Sequence, residues 1–221
     1  MKGHALRGIS SREWILLAFI LFYSFIPTFG GLLRVAELLG GQAILPTNAR
    51  ALAYPVPIAV HVLSSFLFCI LGAIQFLPSV RRNHLDLHRM MGRASAVAGF
   101  ISAATGLWMT HFFAFPESLQ GALLYWVRIV LSLAMCALIM RAVWSIRTRN
   151  VSAHGSAMIR AYAIAQGAST QAFLGIGWII AVGMEPQGQL RDVIMVAAWG
   201  INFVAAECLI SKIFPSRTIP T

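Results

Sequence analysis

Charged residues are scarce in this sequence, and acidic residues are the scarcest. Asp, Glu, Lys and Arg make up 11% of the 221 residues, and only 7 residues are acidic. Soluble domains carry about 25% charged residues. So little polar surface cannot cover a water-facing globule, which excludes an ordinary soluble enzyme or binding domain. We expect residues 1–221 to form a single transmembrane domain.

Cysteine pairs and catalytic motifs are also lacking. The three cysteines, Cys69, Cys136 and Cys208, lie in apolar runs without a CxxC pair, which argues against a disulfide framework or a zinc site. No phosphate-binding loop, nucleophile elbow or dinucleotide fingerprint occurs in a fitting context, so an enzyme is not favoured. The net charge of +10 comes from short basic clusters between apolar runs. Nucleic acid is therefore not an expected partner.

Long apolar runs fill most of the chain. Hydrophobic residues make up 58% of the sequence, and about 20 apolar residues in a helix cross the hydrocarbon core. The pattern predicts an all-α, polytopic membrane helix bundle with spans near Trp14–Leu33, Val56–Pro78, Ala94–Phe115, Gly121–Trp144, Ala157–Met184 and Asp192–Phe214. The first of these six runs lacks a small-x-small cleavage site and is predicted to remain as an anchor. After it, LLRVAELLGG is predicted to lie along the membrane surface and TNARALAYPVP to return irregularly.

Basic residues predict the orientation. Thirteen of the 17 Lys and Arg fall in the N-terminus, the C-terminus and the loops after spans two and four, whereas Arg34, Arg50 and Arg191 lie on the opposite side. Lys and Arg are enriched in cytoplasmic loops. Both termini are therefore predicted to be cytoplasmic.

Two stretches of the sequence resemble one another. RN…H…RASAVAG begins at Arg82, and RN…H…RAYAIAQG begins at Arg149. If they are parallel repeats, His88 and His154 occupy equivalent depths on two helices of the same direction.

Polar side chains inside the spans are the first places to look for function, because their burial in lipid is costly. They form an outer layer, an inner layer on the predicted cytoplasmic side, and a midplane set. These are, in that order, His61, His111 and Arg128; Gln75, His88, Arg93, His154, Arg160 and Glu207; and Gln166, Gln171 and Asn202.

Histidines at matching depth predict a b-type haem, whose iron takes two axial imidazoles. His88 and His154 are the candidate metal ligands, with Arg93 and Arg160 near the haem propionates. A second haem between His61 and His111 does not fit. His88 and His111 are 23 residues apart, which corresponds to roughly 35 Å along one helix. This length exceeds the hydrocarbon core, so two haem sites would not both lie within it. His84 and His88, at i and i+4, would share a helix face as a metal site does.

The inner layer also has a plainer interpretation. Basic interfacial loops commonly contact anionic lipid headgroups. Arg128 and Glu207 are then paired or snorkelling structural groups, and the midplane amides are interhelical hydrogen-bond partners. Glu207 is predicted to lie near Arg160 or another inner-layer base, since an unpaired carboxylate would be costly at that depth.

Three ordered blocks within about residues 56–212 resemble a family of bacterial multi-pass membrane proteins known as domain of unknown function twenty-three-oh-six. The matching positions are His61, Gln75, Phe76, Arg81, Arg82, His88, Arg89, Gly92 and Arg93; then His154, Met158, Arg160, Tyr162 and Ala163; then Trp199, Asn202, Ala206 and Glu207. The family often has an Arg where this chain has Ala172. The resemblance implies the bacterial cytoplasmic (inner) membrane and no particular activity.

Two functional hypotheses follow from these observations. The first is a membrane redox or electron-transfer component that binds one haem b through His88 and His154. The alternative is a non-enzymatic subunit or transporter-like protein that binds lipid or a small anion at its cytoplasmic-side polar layer. The expected partners are the lipid bilayer and another membrane protein.

The orientation is testable with reporter fusions. Because the basic residues favour one side so strongly, reporters fused after Ser79, Ser152 and Thr221 should report the cytoplasm, and fusions after Thr47 and Gln187 should report the outside. A periplasmic signal from the Ser152 fusion would contradict the six-span arrangement.

Overall fold

All regular structure in the described part of the chain is helical. The computed structural model describes residues 9–215, and residues 1–8 and 216–221, with most of the two predicted cytoplasmic termini, lie outside this range. The helices are α1 Ser11–Leu38, α2 Ala49–Ala53, α3 Pro55–Gln75, α4 Pro78–Asn83, α5 Leu85–Phe112, α6 Ala122–Arg147, α7 Val151–Ala165, α8 Gly167–Val182 and α9 Gly188–Ile213. The predicted all-α fold is confirmed.

Four of the described helices are long and apolar enough to cross a membrane. These helices are α1, α3, α6 and α9. Large apolar side chains such as Phe19 and Phe22 on α1 and Trp126 on α6 are exposed. Apolar faces of this extent are costly in water and favourable in lipid, so the chain is a membrane protein. The number of spans and the N-in, C-in orientation stay predictions.

The structure corrects two parts of the predicted layout. LLRVAELLGG does not form a separate surface helix, because α1 continues through it to Leu38. The irregular return contains the short helix α2. Arg34 ties the end of α1 to this return: it pairs with Glu37 and donates a 2.6 Å hydrogen bond to the Pro46 carbonyl.

The predicted fifth span is interrupted. Residues 157–184 were expected to form one helix, but α7 ends at Ala165 and α8 begins at Gly167. The two helices have 15 and 16 residues, and each alone is shorter than the roughly 20 residues needed to span the core.

The chain divides into two compact units after Thr105, a position within α5. In the first unit α1 packs against α3, and in the second unit α6, α7 and α8 pack with α9. Each unit is described by itself below, and the single-domain expectation stays a prediction.

A side chain from a distant helix caps the start of α6. Gly121 precedes α6 and makes no side-chain cap. The buried carboxylate of Asp192, on α9, accepts 3.1 Å hydrogen bonds from the backbone N–H groups of Gly121 and Leu124. A Cβ atom at Gly121 would lie 2.6 Å from Asp192 Oδ2. Glycine at position 121 therefore allows the carboxylate to reach the helix terminus.

Candidate functional site

Glu13 joins the start of α1 to the start of α4 in the first unit. Its Oε1 accepts a 2.6 Å hydrogen bond from the Ser79 backbone N–H, and its Oε2 accepts one of 2.6 Å from the Ser79 hydroxyl. The Ser10 backbone N–H donates to the same Oε2 at 2.9 Å, as part of the capping box of α1. Because Ser79 is the second residue of α4, Glu13 caps α4 from another helix and holds the two helix starts together.

Sequence reasoning missed Glu13. The Ser10-x-x-Glu13 spacing is a capping-box signal and would have predicted the local part of its role. The contact with Ser79 joins residues 66 positions apart, and no local pattern reveals it.

The side chains that follow Ser79 form an arginine cluster, which we define as Arg81, Arg82, Arg89 and Arg93. All four are exposed. Among residues 9–215, no carboxylate forms an ion pair with Arg81, Arg82 or Arg93. Arg89 lies 3.6 Å from Asp86, whose side chain is fully exposed, so that pair contributes little. The cluster thus carries positive charge that the described chain does not neutralise.

The structure places His88 inside α5 and His84 outside it. His88 is the fourth residue of α5, whereas His84 follows α4 and precedes α5. The His88 backbone N–H nevertheless donates to the His84 carbonyl at 2.9 Å, so His84 lies at the start of α5 and the shared face of these two histidines stays a prediction. In the other unit, His154 is the fourth residue of α7. The local positions of His88 and His154 agree with the predicted repeat.

His154 has a defined hydrogen-bond partner. Its Nδ1 lies 3.0 Å from the carbonyl oxygen of Ala142 on α6. A carbonyl only accepts, so Nδ1 carries a proton, and in the neutral imidazole the lone pair then lies on Nε2.

His61, in the outer layer, belongs to a polar contact between α3 and α5. Its Nδ1 lies 3.0 Å from the Ser102 carbonyl and 3.1 Å from the Thr105 hydroxyl. One turn along α3, the Ser65 hydroxyl lies 2.6 Å from the Ser102 hydroxyl. These bonds join α3 to α5 within the first unit.

Gln75, the last residue of α3, contacts α5 at a glycine. A Cβ atom at Gly92 would lie 3.3 Å from Gln75 Oε1. The absence of a side chain at Gly92 therefore leaves room for the Gln75 amide. Its Nε2 is buried and has no hydrogen-bond partner among residues 9–215.

Arg160 and Glu207 form a bidentate ion pair. Arg160 Nε donates to Glu207 Oε1 at 2.5 Å, and Arg160 Nη2 donates to Oε2 at 2.7 Å. This geometry matches the fork of a guanidinium to both carboxylate oxygens. The pairing predicted for Glu207 is confirmed. The guanidinium of Arg160 is already neutralised, in contrast to the arginine cluster.

The interruption between α7 and α8 is closed by side chains of α9. Asn202 Nδ2 donates to the Ala163 carbonyl at 3.2 Å, and Trp199 Nε1 donates to the Ile164 carbonyl at 3.0 Å. In a continuous helix those carbonyls would accept from the N–H groups of residues 167 and 168. The side chains of α9 thus supply donors at the point where the helical pattern is interrupted.

The beginning of α8 completes this arrangement. The Thr170 hydroxyl donates to Asn202 Oδ1 at 2.8 Å, and the Ser169 hydroxyl donates to Gln166 Oε1 at 2.8 Å. A Cβ atom at Gly167 would overlap the Trp199 indole. The predicted interhelical role is confirmed for Asn202 and for Gln171, which donates from α8 to the Met195 carbonyl of α9 at 3.1 Å. The roles of Trp199 and Gly167 were missed.

Polar groups of the predicted outer layer in the second unit hold the segment between α5 and α6. Arg128 donates a 2.5 Å hydrogen bond to Gln120 and lies over the Phe115 ring, 5.5 Å from its centroid. His111 Nδ1 lies 3.0 Å from the Tyr125 hydroxyl. These contacts agree with the prediction that Arg128 is a paired structural group. Among residues 9–215, no group of three or more His, Cys, Asp or Glu is arranged to hold a metal ion.

The matched part of the chain begins in α3 and ends in α9. Residues 58–210 match the family described as predicted membrane protein (DUF2306). The chain belongs to this family. The DUF2306 region contains the arginine cluster, the Arg160–Glu207 pair and the interrupted helix, whereas Glu13 precedes it. No curated protein and no solved structure matches the chain. The family resemblance expected from the three sequence blocks is confirmed.

The ion pair in the DUF2306 region is testable with a double-mutant cycle. Glu207→Ala should lower the thermal midpoint in detergent, because it leaves Arg160 without its carboxylate. Adding Arg160→Ala should then cost less than Arg160→Ala costs alone, with a coupling energy of about 1 kcal/mol. Glu185→Ala, at an exposed carboxylate outside the helices, is the matched control and should change little. If the stability losses of the two single variants simply add in the double variant, Arg160 and Glu207 are not coupled.

Proposed function

We propose that the protein is a non-enzymatic membrane component whose arginine cluster binds phosphate groups at the predicted cytoplasmic surface. The exposed guanidinium groups of Arg81, Arg82 and Arg93, which no carboxylate in residues 9–215 neutralises, carry this proposal. Guanidinium forks bind phosphate oxygens bidentately. The phosphate belongs to an anionic lipid headgroup or to a small free anion.

The attachment of α4 supports this function. Arg81 and Arg82 lie on a helix of six residues, which is too short to be stable alone. Glu13 accepts the Ser79 N–H and hydroxyl hydrogen bonds and so fixes the start of that helix. Two adjacent guanidinium groups on an anchored turn lose less conformational freedom on binding than groups on a free loop would lose.

The contrast with Arg160 supports the choice of this cluster. Arg160 already donates two hydrogen bonds to Glu207, and an anion would have to displace that carboxylate. Arg81, Arg82 and Arg93 have no such competitor among the described residues. An interfacial basic residue contributes about 1 kcal/mol to binding of an anionic surface.

The expected outcome is a loss of binding to anionic lipid. Arg81→Gln/Arg82→Gln should weaken the affinity for dioctanoyl phosphatidylglycerol by roughly tenfold to thirtyfold, since two contributions of about 1 kcal/mol are removed. Affinity is measured from the rise of the thermal midpoint as the lipid is titrated into protein in neutral detergent. Arg141→Gln/Arg147→Gln removes the same charge from exposed positions on α6 and should weaken binding much less.

Two further ligands identify the source of the phosphate. Dioctanoyl phosphatidylcholine, which has no net charge, should give a much smaller shift than phosphatidylglycerol gives. If inorganic phosphate reproduces the shift and competes with the lipid, the ligand is a free anion; if it does neither, the ligand is a headgroup. Equal shifts from both lipids, or equal losses in the two double variants, would contradict the proposal.

The hydrogen bond of His154 favours one second candidate, the b-type haem for which the sequence alone predicts His88 and His154 as ligands. Nδ1 donates to the Ala142 carbonyl, which leaves Nε2 as the nitrogen that coordinates iron in this tautomer. The suggested propionate partners fit less well: Arg160 is already paired with Glu207, so Arg93 alone is left for that role.

The colour of the purified protein separates the two candidates. If haem is bound, protein expressed with adequate haem supply shows a Soret band and a sharp reduced α-band. His88→Ala and His154→Ala should each abolish the low-spin spectrum, while His61→Ala and His111→Ala leave it unchanged. A colourless preparation that does not take up added hemin would reject the haem candidate and leave the phosphate-binding proposal standing.

A further inference from the structure

One side of α5 is apolar and exposed. Val97 is 60% exposed, and Met90, seven residues before it, is 63% exposed. Phe100 and Ile101 are exposed as well, and they follow Val97 by three and four residues. Residues three, four and seven apart lie on the same side of a helix. We define Met90, Val97, Phe100 and Ile101 as the α5 strip.

The opposite side of α5 is buried. Ser95, Ala98 and Ser102 are all buried. The Ser102 hydroxyl lies 2.6 Å from the Ser65 hydroxyl of α3, so this side packs within the first unit. An exposed apolar side is ordinary for a membrane helix, and the α5 strip by itself therefore identifies no particular ligand.

Arg93 distinguishes the α5 strip from an ordinary lipid-facing surface. It follows Met90 by three residues and precedes Val97 by four, so it shares their side of the helix, and it is exposed. Arginines within membrane helices usually face the protein interior and pair with other groups. Among residues 9–215, no carboxylate forms an ion pair with Arg93. A positive charge in this position favours an anion that comes with apolar groups of its own.

Arg89 adds a second guanidinium beside the first. Positions 89 and 93 are four residues apart on α5, which places their Cβ atoms about 5–6 Å from each other. The 3.6 Å pair of Arg89 with the fully exposed Asp86 is weak competition for another anion. Two guanidinium groups at this spacing can contact one phosphate.

We propose that the ligand of the arginine cluster is a diacyl anionic phospholipid that lies along α5. Its phosphate binds Arg89 and Arg93, and one acyl chain covers the α5 strip. This inference rests on the proposed phosphate-binding function and commits it to a lipid headgroup as the source of the phosphate.

The two parts of the site call for the two parts of one amphiphile. A free phosphate would neutralise the arginines and leave the α5 strip uncovered. An uncharged lipid would cover the strip and leave Arg93 without an anion. A phospholipid with net negative charge satisfies both parts at once, because its phosphate is joined to its chains.

The α6 helix offers a matched surface without this combination. Val130 and Leu133 are exposed apolar side chains of α6. The arginine nearest to them along the helix, Arg128, already donates to Gln120 and lies over the Phe115 ring. Lipid should therefore contact this part of α6 without selection by headgroup charge.

Photo-cross-linking in a phosphatidylcholine bilayer tests the position of the acyl chain. Phosphatidylglycerol with a diazirine in one chain should label residues 94–104 several-fold more than the matching phosphatidylcholine probe does. Arg89→Gln/Arg93→Gln should reduce that labelling to the phosphatidylcholine level and leave the labelling of residues 129–134 unchanged. Equal labelling of residues 94–104 by the two probes would show ordinary bilayer contact and overturn the inference.

Lipid titration in neutral detergent tests the contribution of the chain to affinity. Phe100→Ala/Ile101→Ala should weaken binding of dioctanoyl phosphatidylglycerol by roughly fivefold, because less apolar surface meets the chain. Val130→Ala/Leu133→Ala is the matched control on α6 and should leave the affinity unchanged. Both changes are at exposed positions, and the thermal midpoint without lipid checks that each variant folds.

The outcomes separate this inference from the proposed function. If phosphatidylglycerol binds but the Phe100/Ile101 variant keeps the full affinity, the acyl chain does not lie on the α5 strip and only this inference fails. If inorganic phosphate reproduces the whole shift, the inference again fails while the phosphate-binding function stands. If neither ligand raises the thermal midpoint of the unaltered protein, both fail.

Discussion

The structure depends on one constraint: in lipid, backbone N–H and C=O groups must find their partners within the protein. Helix interiors meet this requirement locally, but helix ends and interruptions do not. In this chain, side chains from distant helices meet it. Glu13 of α1 accepts a hydrogen bond from a backbone N–H at the start of α4, and Asp192 of α9 accepts two from N–H groups at the start of α6. Asn202 of α9 donates to a backbone carbonyl at the end of α7.

The same constraint explains which parts of the fold could be predicted from the sequence. Apolar runs predict long apolar helices, because hydropathy is a local property, and four of the six predicted runs form helices that are long and apolar enough to cross a membrane. The interruption at Gln166 could not be predicted from hydropathy, since α7 and α8 together read as one apolar run. The groups that stabilise it include Trp199 of α9, which abuts Gly167 and supplies a donor to the Ile164 carbonyl.

Some candidate site residues could be predicted because burying a charge in lipid costs free energy. The pairing of Glu207 with Arg160 or another inner-layer base followed from that cost, and the structure shows that the base is Arg160. Glu13 was not predicted as a site residue, because acidic residues are common in the first turn of a helix. The distinction between neutralised Arg160 and Arg93, which no carboxylate in residues 9–215 pairs with, also required the structure, since both are basic residues of the same predicted layer.

The interrupted helix couples two parts of the second unit. A continuous α7–α8 helix would need the carbonyls of Ala163 and Ile164 for its own hydrogen bonds, and these carbonyls accept from Asn202 and Trp199. The indole of Trp199 also occupies the space beside Gly167. A rearrangement that restores the helix would bring two backbone N–H groups to carbonyls that already accept from side chains of α9. In mechanical terms α9 is a brace, because it contributes both donors and the bulk of an indole at the interruption.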